Sequence, residues 1–251
     1  MRDSTREMID VWDWEAVQAR RPVLVAHRGG VIAPDAPENS LAAMRLAGVR
    51  GYDMVELDVR QARDGEPVLF HGLGGGSLFA DCGVERVVEE LTSLELTALC
   101  YRGSSEPIVT LEQALALCAS LKLGVMLDIK AGPASGRYLD RIAHLLDKYA
   151  LGRASVTISH DPLVRERLGD RVMFPVSDAD LGRVLAGTET SLAGQYWFGW
   201  AARITDQGVR AMRQNGAFLL VSINTFHYPA HARETLAAQD VQRLLAAGAD
   251  G

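Results

Sequence analysis

No apolar run in the 251 residues reaches the roughly 18 that a membrane-spanning helix requires. Basic charge is also in short supply: 26 Lys and Arg stand against 32 Asp and Glu, for a net charge of −6 and a pI near 5.5. There is therefore no basic footprint for nucleic acid and no basic amphipathic stretch for a membrane surface, so the expected partners are small molecules. A signal peptide needs an apolar core near its start, but Asp3, Glu7, Asp10, Asp13 and Glu15 occupy that region, and the sequence reads as cytoplasmic without a membrane anchor. The three cysteines, Cys82, Cys100 and Cys118, are odd in number and fit no metal or redox spacing, which leaves them as packing thiols. What is plentiful is apolar content, 48% of the chain, enough for one large barrel or two ordinary domains.

Met54-Val55-Glu56-Leu57-Asp58-Val59 is the most informative stretch. Side chains alternate across a strand, so Glu56 and Asp58 share one face of a segment whose other residues are all apolar. Two neighbouring carboxylates in such a place repel and lose hydration, and a hard metal ion is the simplest compensation. Two further strands carry polar groups at the same end. Val23, Val25 and His27 share a face in one, and Met126, Asp128 and Lys130 share a face in the other. Strands that are apolar except at their carboxyl ends describe a parallel sheet with its chemistry along that edge. Asp64-Gly65 between two extended segments predicts a hairpin, and an even loop centred there sets His71 opposite Asp58, facing the same way as the carboxylates.

Strand patterns fall near 23-27, 54-59, 124-129, 155-159, 172-176, 196-200 and 217-224. Helical patterns lie between and after them, near 39-48, 110-121, 137-149, 161-168, 178-186, 205-215 and 234-247. This alternation predicts an α/β fold, a TIM (β/α)8-type barrel formed by residues 1-251 as a single domain. Trp12 and Trp14 are expected to pack beneath the strands, Thr110 with Gln113 forms a capping box, and Gly48, Gly216 and Gly248 mark helix ends. Residues 72-106 break the rhythm, opening with Gly72-Leu73-Gly74-Gly75-Gly76 and holding a short helix capped by Ser93. They read as a small insertion after strand 2, above the barrel mouth.

These motifs, His27-Arg28-Gly29, Pro37-Glu38-Asn39-Ser40, Glu56-Leu57-Asp58-Val59, Asp64-Gly65, His71 and Asp128-Ile129-Lys130, resemble in order and spacing those of the glycerophosphodiester phosphodiesterase family. The resemblance covers residues 23 to about 130 and continues more loosely to Ser222-Ile223-Asn224. It implies a TIM barrel with an insertion after the second strand, and metal-dependent hydrolysis of a glycerophosphodiester to sn-glycerol 3-phosphate and an alcohol. By the same resemblance Glu56, Asp58 and Asp128 hold one divalent cation, His27 and His71 act as acid and base, and Arg28 and Lys130 contact phosphate. Oxygen-only ligands favour Mg²⁺ or Ca²⁺. The Asp-Ile-Lys run is also similar to the sphingomyelinase D type, which implies lysophospholipase D or sphingomyelinase D cleavage of a lipid-derived phosphodiester as an alternative. A barrel that binds phosphate esters without turnover is another. The family continues with an eighth strand where this sequence stops at Ala249-Asp250-Gly251, so the expectation is a truncated chain with open edges at 23-27 and 217-224.

Several residues carry two readings. Lys130 is a structural partner of Asp128 or a phosphate contact, and Glu38 is a favourable residue at a helix N-terminus or a site residue. Asn224 and Trp200 are candidates for substrate contact, and the Trp197-Phe198-Gly199-Trp200 run reads equally as core packing.

Overall fold

The computed structural model describes residues 7–130, 135–188 and 190–251; residues 1–6, with Asp3 among them, lie outside the described residues. The chain divides into two compact units, Met1–Asp10 with Leu24–Val172, and Val11–Val23 with Met173–Gly251.

The first unit holds β1 (Val25–Ala26), β2 (Met54–Gln61), β3 (Pro67–Leu69), β4 (Val109–Thr110), β5 (Gly124–Ile129) and β6 (Ser155–Thr157) in one sheet. β1, β2, β5 and β6 run parallel in sequence order, the pairing of a TIM-type barrel. Helices Leu41–Arg50, Leu111–Leu121, Gly136–Lys148 and Pro162–Leu168 follow successive strands. Each begins at a residue that supplies the cap: Ser40, Thr110 in its box with Gln113, Ser135 and Asp161. The first of these helices runs past Gly48 to Gly51, whose φ of 78° is the left-handed conformation that ends it.

The hairpin after β2 differs from expectation by one residue. Val59 pairs with Leu69, which puts Asp58 opposite Phe70 and not His71. Ala62 accepts from Gly65 and donates to Glu66, so the loop has three residues and closes on Gly65 at φ 84°, the bulged hairpin geometry that a left-handed glycine permits. The insertion that follows contains short helices Leu73–Gly76, Phe79–Cys82 and Ser93–Thr97 and a turn at Val88–Glu90. Phe70, Leu78, Val88, Leu96, Tyr101 and Ile108 form its own apolar core. The helix at 93–97 is capped by Thr92 in a box with Glu95, while the expected cap, Ser93, binds Asp64 instead. The chain returns through β4, a strand without a sequence forecast, antiparallel to β3.

In the second unit β7 (Phe174–Pro175), β8 (Gln195–Trp200) and β9 (Phe218–Ser222) pair in parallel, with helices Trp14–Arg20, Asp178–Leu185, Asp206–Gln214 and Arg233–Ala247. Trp14 is exposed, with the Arg213 guanidinium 4.9 Å from its ring centroid. Val176, Leu192, Trp197, Val209, Met212 and Leu219 lie in the core, so within the aromatic run Trp197 is a packing residue. Asp250 and Gly251 both donate to Leu219, Gly251 accepts from Val221, and Val23 donates to Asp250. The edges expected to be open at Val23 and β9 are therefore occupied at these positions.

Candidate active site

The β2–β5 register sets Asp58 beside Asp128 and Glu56 beside Met126. The β1–β2 pairing of Ala26 with Val55 carries His27 alongside Glu56. One oxygen from each of Glu56, Asp58 and Asp128 lies within 4.8 Å of the other two. Burial is severe: Glu56 is 4% exposed and Asp58 is 1% exposed.

Compensation inside this cluster is uneven. Lys130 places its Nζ 3.0 Å from Asp58 and 2.5 Å from Asp128, so it is a partner of both carboxylates. Burial works to lower its pKa, but the hydrogen bond to Asp128 and the two negative charges outweigh this and hold it above the ordinary lysine value. Glu56 receives hydrogen bonds of a different kind, a 2.7 Å bond from the Arg28 backbone N–H to its carboxylate and one from Gly29 to its carbonyl. Burial, and then repulsion from Asp58, push its pKa up to about 8. Three carboxylates thus share one ammonium.

The cationic and imidazole groups surround that cluster. His27 has Nε2 3.9 Å from Glu56, and its side chain is 60% exposed. Crowding on its inner side and the neighbouring Arg28 charge lower its pKa, so the ring is neutral at neutral pH. Arg28 has φ 55°, uncommon for a residue with a side chain, and donates to Glu38 at 2.8 Å. Its other terminal nitrogen lies 3.4 Å from His71 Nε2, while His71 Nδ1 is 3.8 Å from Glu38. Arg28 Nε is buried without a hydrogen-bond partner. Glu38 thus lies against both Arg28 and His71.

Of the ten residues singled out from sequence, the first unit gathers His27, Arg28, Glu38, Glu56, Asp58, His71, Asp128 and Lys130. His71 arrives despite the shifted hairpin register, because β3 ends at Leu69, before it. Trp200 and Asn224 belong to the second unit. Trp200 is exposed, edge-on to His227 with centroids 4.4 Å apart and 4.9 Å from the Arg203 guanidinium. Asn224 opens the turn Thr225–His227 and makes no side-chain capping bond.

Sequence reasoning left two participants without roles. Asn39, fully buried at φ 57°, donates from Nδ2 to Asp58 at 2.8 Å and accepts from the Asp58 N–H at 3.2 Å. Asparagine tolerates that left-handed backbone, and its place within Pro37–Ser40 was the available signal. Tyr101, from the insertion, stacks on Phe70 at 5.9 Å and buries an unpartnered hydroxyl. Burial, and then the charge of nearby Glu38, raise its pKa well above the usual tyrosine value. No local pattern marked it.

The donor set fits a hard divalent cation. All three candidate ligands are carboxylates, they converge, and Glu56 is buried without a countercharge in contact. No described helix is long and apolar enough to cross a membrane.

Comparison with known proteins agrees with this geometry. Residues 27–181, more than half of the chain, match the model of the glycerophosphoryl diester phosphodiesterase family. The chain is similar to glycerophosphodiester phosphodiesterase 1 of human and of mouse, 37% identical over 112 residues, which is 42% of this chain and 33% of each relative. The matched stretch therefore spans about a third of these relatives' length. Among solved structures, an Oleispira antarctica phosphodiesterase in complex with the product sn-glycerol-3-phosphate superposes with a TM-score of 0.69 at 19% identity, covering 93% of both chains. The Thermotoga maritima glycerophosphodiester phosphodiesterase gives 0.62 at 19% identity, covering 87% of this chain and 91% of that one. At such identities the likeness shows the fold, and the family match supplies the membership: this chain belongs to the glycerophosphoryl diester phosphodiesterase family.

Proposed function

We propose that the protein hydrolyses a glycerophosphodiester to sn-glycerol 3-phosphate and an alcohol, using one divalent cation, Mg²⁺ or Ca²⁺, held by Glu56, Asp58 and Asp128. The observation that carries this reading is the convergence of three buried or half-buried carboxylates, short of positive charge, with two imidazoles and an arginine around them. The bound cation supplies positive charge to the phosphoryl oxygens, where negative charge grows during the reaction.

The remaining work belongs to the side chains. Arg28, which now engages Glu38, offers a forked guanidinium with an unpartnered Nε, suited to non-bridging phosphate oxygens. Lys130 pairs with Asp58 and Asp128 and adds a second positive charge beside the phosphate. His27, neutral and open to solvent, accepts a proton from the attacking water. His71, with Nδ1 3.8 Å from Glu38, donates one to the departing alkoxide. Asn39 fixes the Asp58 carboxylate.

The test is a product-resolved screen of glycerophosphodiesters against lysophospholipids with Mg²⁺, with Ca²⁺ and with chelator. The expected result is metal-dependent release of sn-glycerol 3-phosphate from the first class. Phosphate-ester binding without turnover under either metal would overturn the reading, and a cyclic phosphate from lysophospholipids would replace it with the sphingomyelinase D type.

A further inference from the structure

His71 stands where the regular backbone gives out. The last hairpin hydrogen bond runs from the Phe70 N–H to the Asp58 carbonyl at 3.0 Å. Immediately after His71 comes Gly72 at φ 62°, where an added Cβ would lie 2.7 Å from Gly76 Cα and 2.9 Å from the Phe70 ring. Four of the five residues after His71 are glycines and offer no side chain to brace the histidine. The polar neighbours of the imidazole among the described residues, Arg28 at 3.4 Å and Glu38 at 3.8 Å, are both at long range. Something else must orient it.

Arg60 occupies that place. It projects from β2 and is 6% exposed. Its Nε lies 3.1 Å from the Phe70 carbonyl and 3.2 Å from the His71 carbonyl, and its Nη2 donates to the His71 carbonyl at 3.0 Å. These are the carbonyls the hairpin ladder leaves behind, and they are held by charge-assisted bonds from a rigid fork. The remaining arm, Nη1, reaches Glu89 at 3.0 Å, a carboxylate 41% exposed in the Val88–Glu90 turn of the insertion. Gly76 lets the loop lie against the same guanidinium, since a Cβ there would come within 2.8 Å of Nη1.

We propose that Arg60 is a positioning residue for His71, clamping the peptide that carries the imidazole and tying it through Glu89 to the insertion. The proposal rests on the reading of His71 as proton donor. A lysine has one ammonium on a flexible stem and cannot hold two carbonyls and a carboxylate in that fixed fork.

The test compares the full chain with Arg60→Lys and Glu89→Gln. It uses steady-state hydrolysis of glycerophosphocholine and NMR of the histidine rings, with the His71 signals assigned by their absence in His71→Asn. Arg60→Lys is expected to lower kcat about 10- to 100-fold with KM within about twofold, since misplacement of a proton donor by an ångström costs that much while phosphate binding is untouched. The His71 ring signals should broaden or shift, and Glu89→Gln should do the same to a smaller extent. If Arg60→Lys does not fold, Glu89→Gln decides, because it alters a half-exposed side chain. His71 signals unchanged from wild type in the folded variants, whatever their activity or melting temperature, overturn the proposal. Failure of the wild-type protein to cleave any glycerophosphodiester overturns the functional reading instead, and the NMR comparison still decides the clamp.

Discussion

Each unit of this chain buries carboxylates, and the two do so on opposite terms. In the second unit Asp250, fully buried, accepts from the Leu219 N–H at 3.0 Å, Gln18 at 2.9 Å and Arg213 at 2.8 Å, with Arg21 3.5 Å away. One anion there meets two guanidinium groups and two neutral donors. In the first unit Glu56, Asp58 and Asp128 meet a single ammonium, and Glu56 is driven up to about 8. A buried charge whose partners are complete is a structural joint, costly to break and chemically silent. A buried cluster short of positive charge is held in an unfavourable state by the surrounding fold, and such a site is built for a ligand that the chain does not itself supply.

The largest test of this contrast lies at the balanced site. Asp250→Asn removes the buried charge that Arg21 and Arg213 face and leaves them only the Ala249 and Gly248 carbonyls and Gln18, and the expected loss is about 3 to 5 kcal/mol of unfolding free energy, measured by urea denaturation. A loss under about 1 kcal/mol would mean that Asp250 is not the joint described here. Next in size is chemistry at the unbalanced site. His27→Ala is expected to lower kcat by about 10²-fold or more with stability little changed, because the ring is largely exposed and, in the proposed function, transfers a proton. A parallel fall in stability and activity would show that His27 is structural.

The same contrast explains what could be read from sequence. All seven parallel strands stood out, because strands buried on both faces are continuous apolar runs, and a carboxylate within such a run is conspicuous. Glu56, Asp58 and Asp128 were visible for that reason. Failures arose where a single residue of geometry decides the outcome. Asp64-Gly65 announced the hairpin, but its loop has three residues, so Phe70 faces Asp58; His71 reached the site because the strand ends before it. Thr92 and Ser93 are both good caps, and the choice fell to Glu95 three residues after Thr92. Arg60 and Tyr101 act through backbone carbonyls and buried surface that only the folded insertion creates, and no local spacing encodes such contacts.

A smaller effect is expected at the carboxylate cluster itself. With Glu56 at about 8, cation binding near neutral pH must displace a proton, so affinity for Mg²⁺ or Ca²⁺ should climb by up to about tenfold per pH unit below 8 and level off above it. Calorimetric titrations at pH 6, 7, 8 and 9, repeated in buffers of different ionisation enthalpy, measure both the affinity and the proton released. Binding that is flat across this range would show that the ion displaces no proton from Glu56.

The smallest expected effect reverses the sign of the Asp250 result. The folded state holds the Glu56 proton more tightly than an unfolded chain, where the carboxyl titrates near 4.5. Stability from that proton is complete below about 4.5 and is lost as pH rises through about 8, since the folded state is the one binding more protons across the interval. Glu56→Gln removes the titration while keeping a polar group of the same shape. Metal-free, the variant should match wild type in acid and become more stable than it by on the order of 1 kcal/mol at pH 9, the residual amide desolvation limiting the gain. Saturating divalent cation should invert the order, because wild type gains binding energy that the variant lacks. If Glu56→Gln is instead destabilising at pH 9 without metal, as Asp250→Asn is expected to be, then Glu56 is already satisfied by the protein and the charge shortage that distinguishes the two units does not exist.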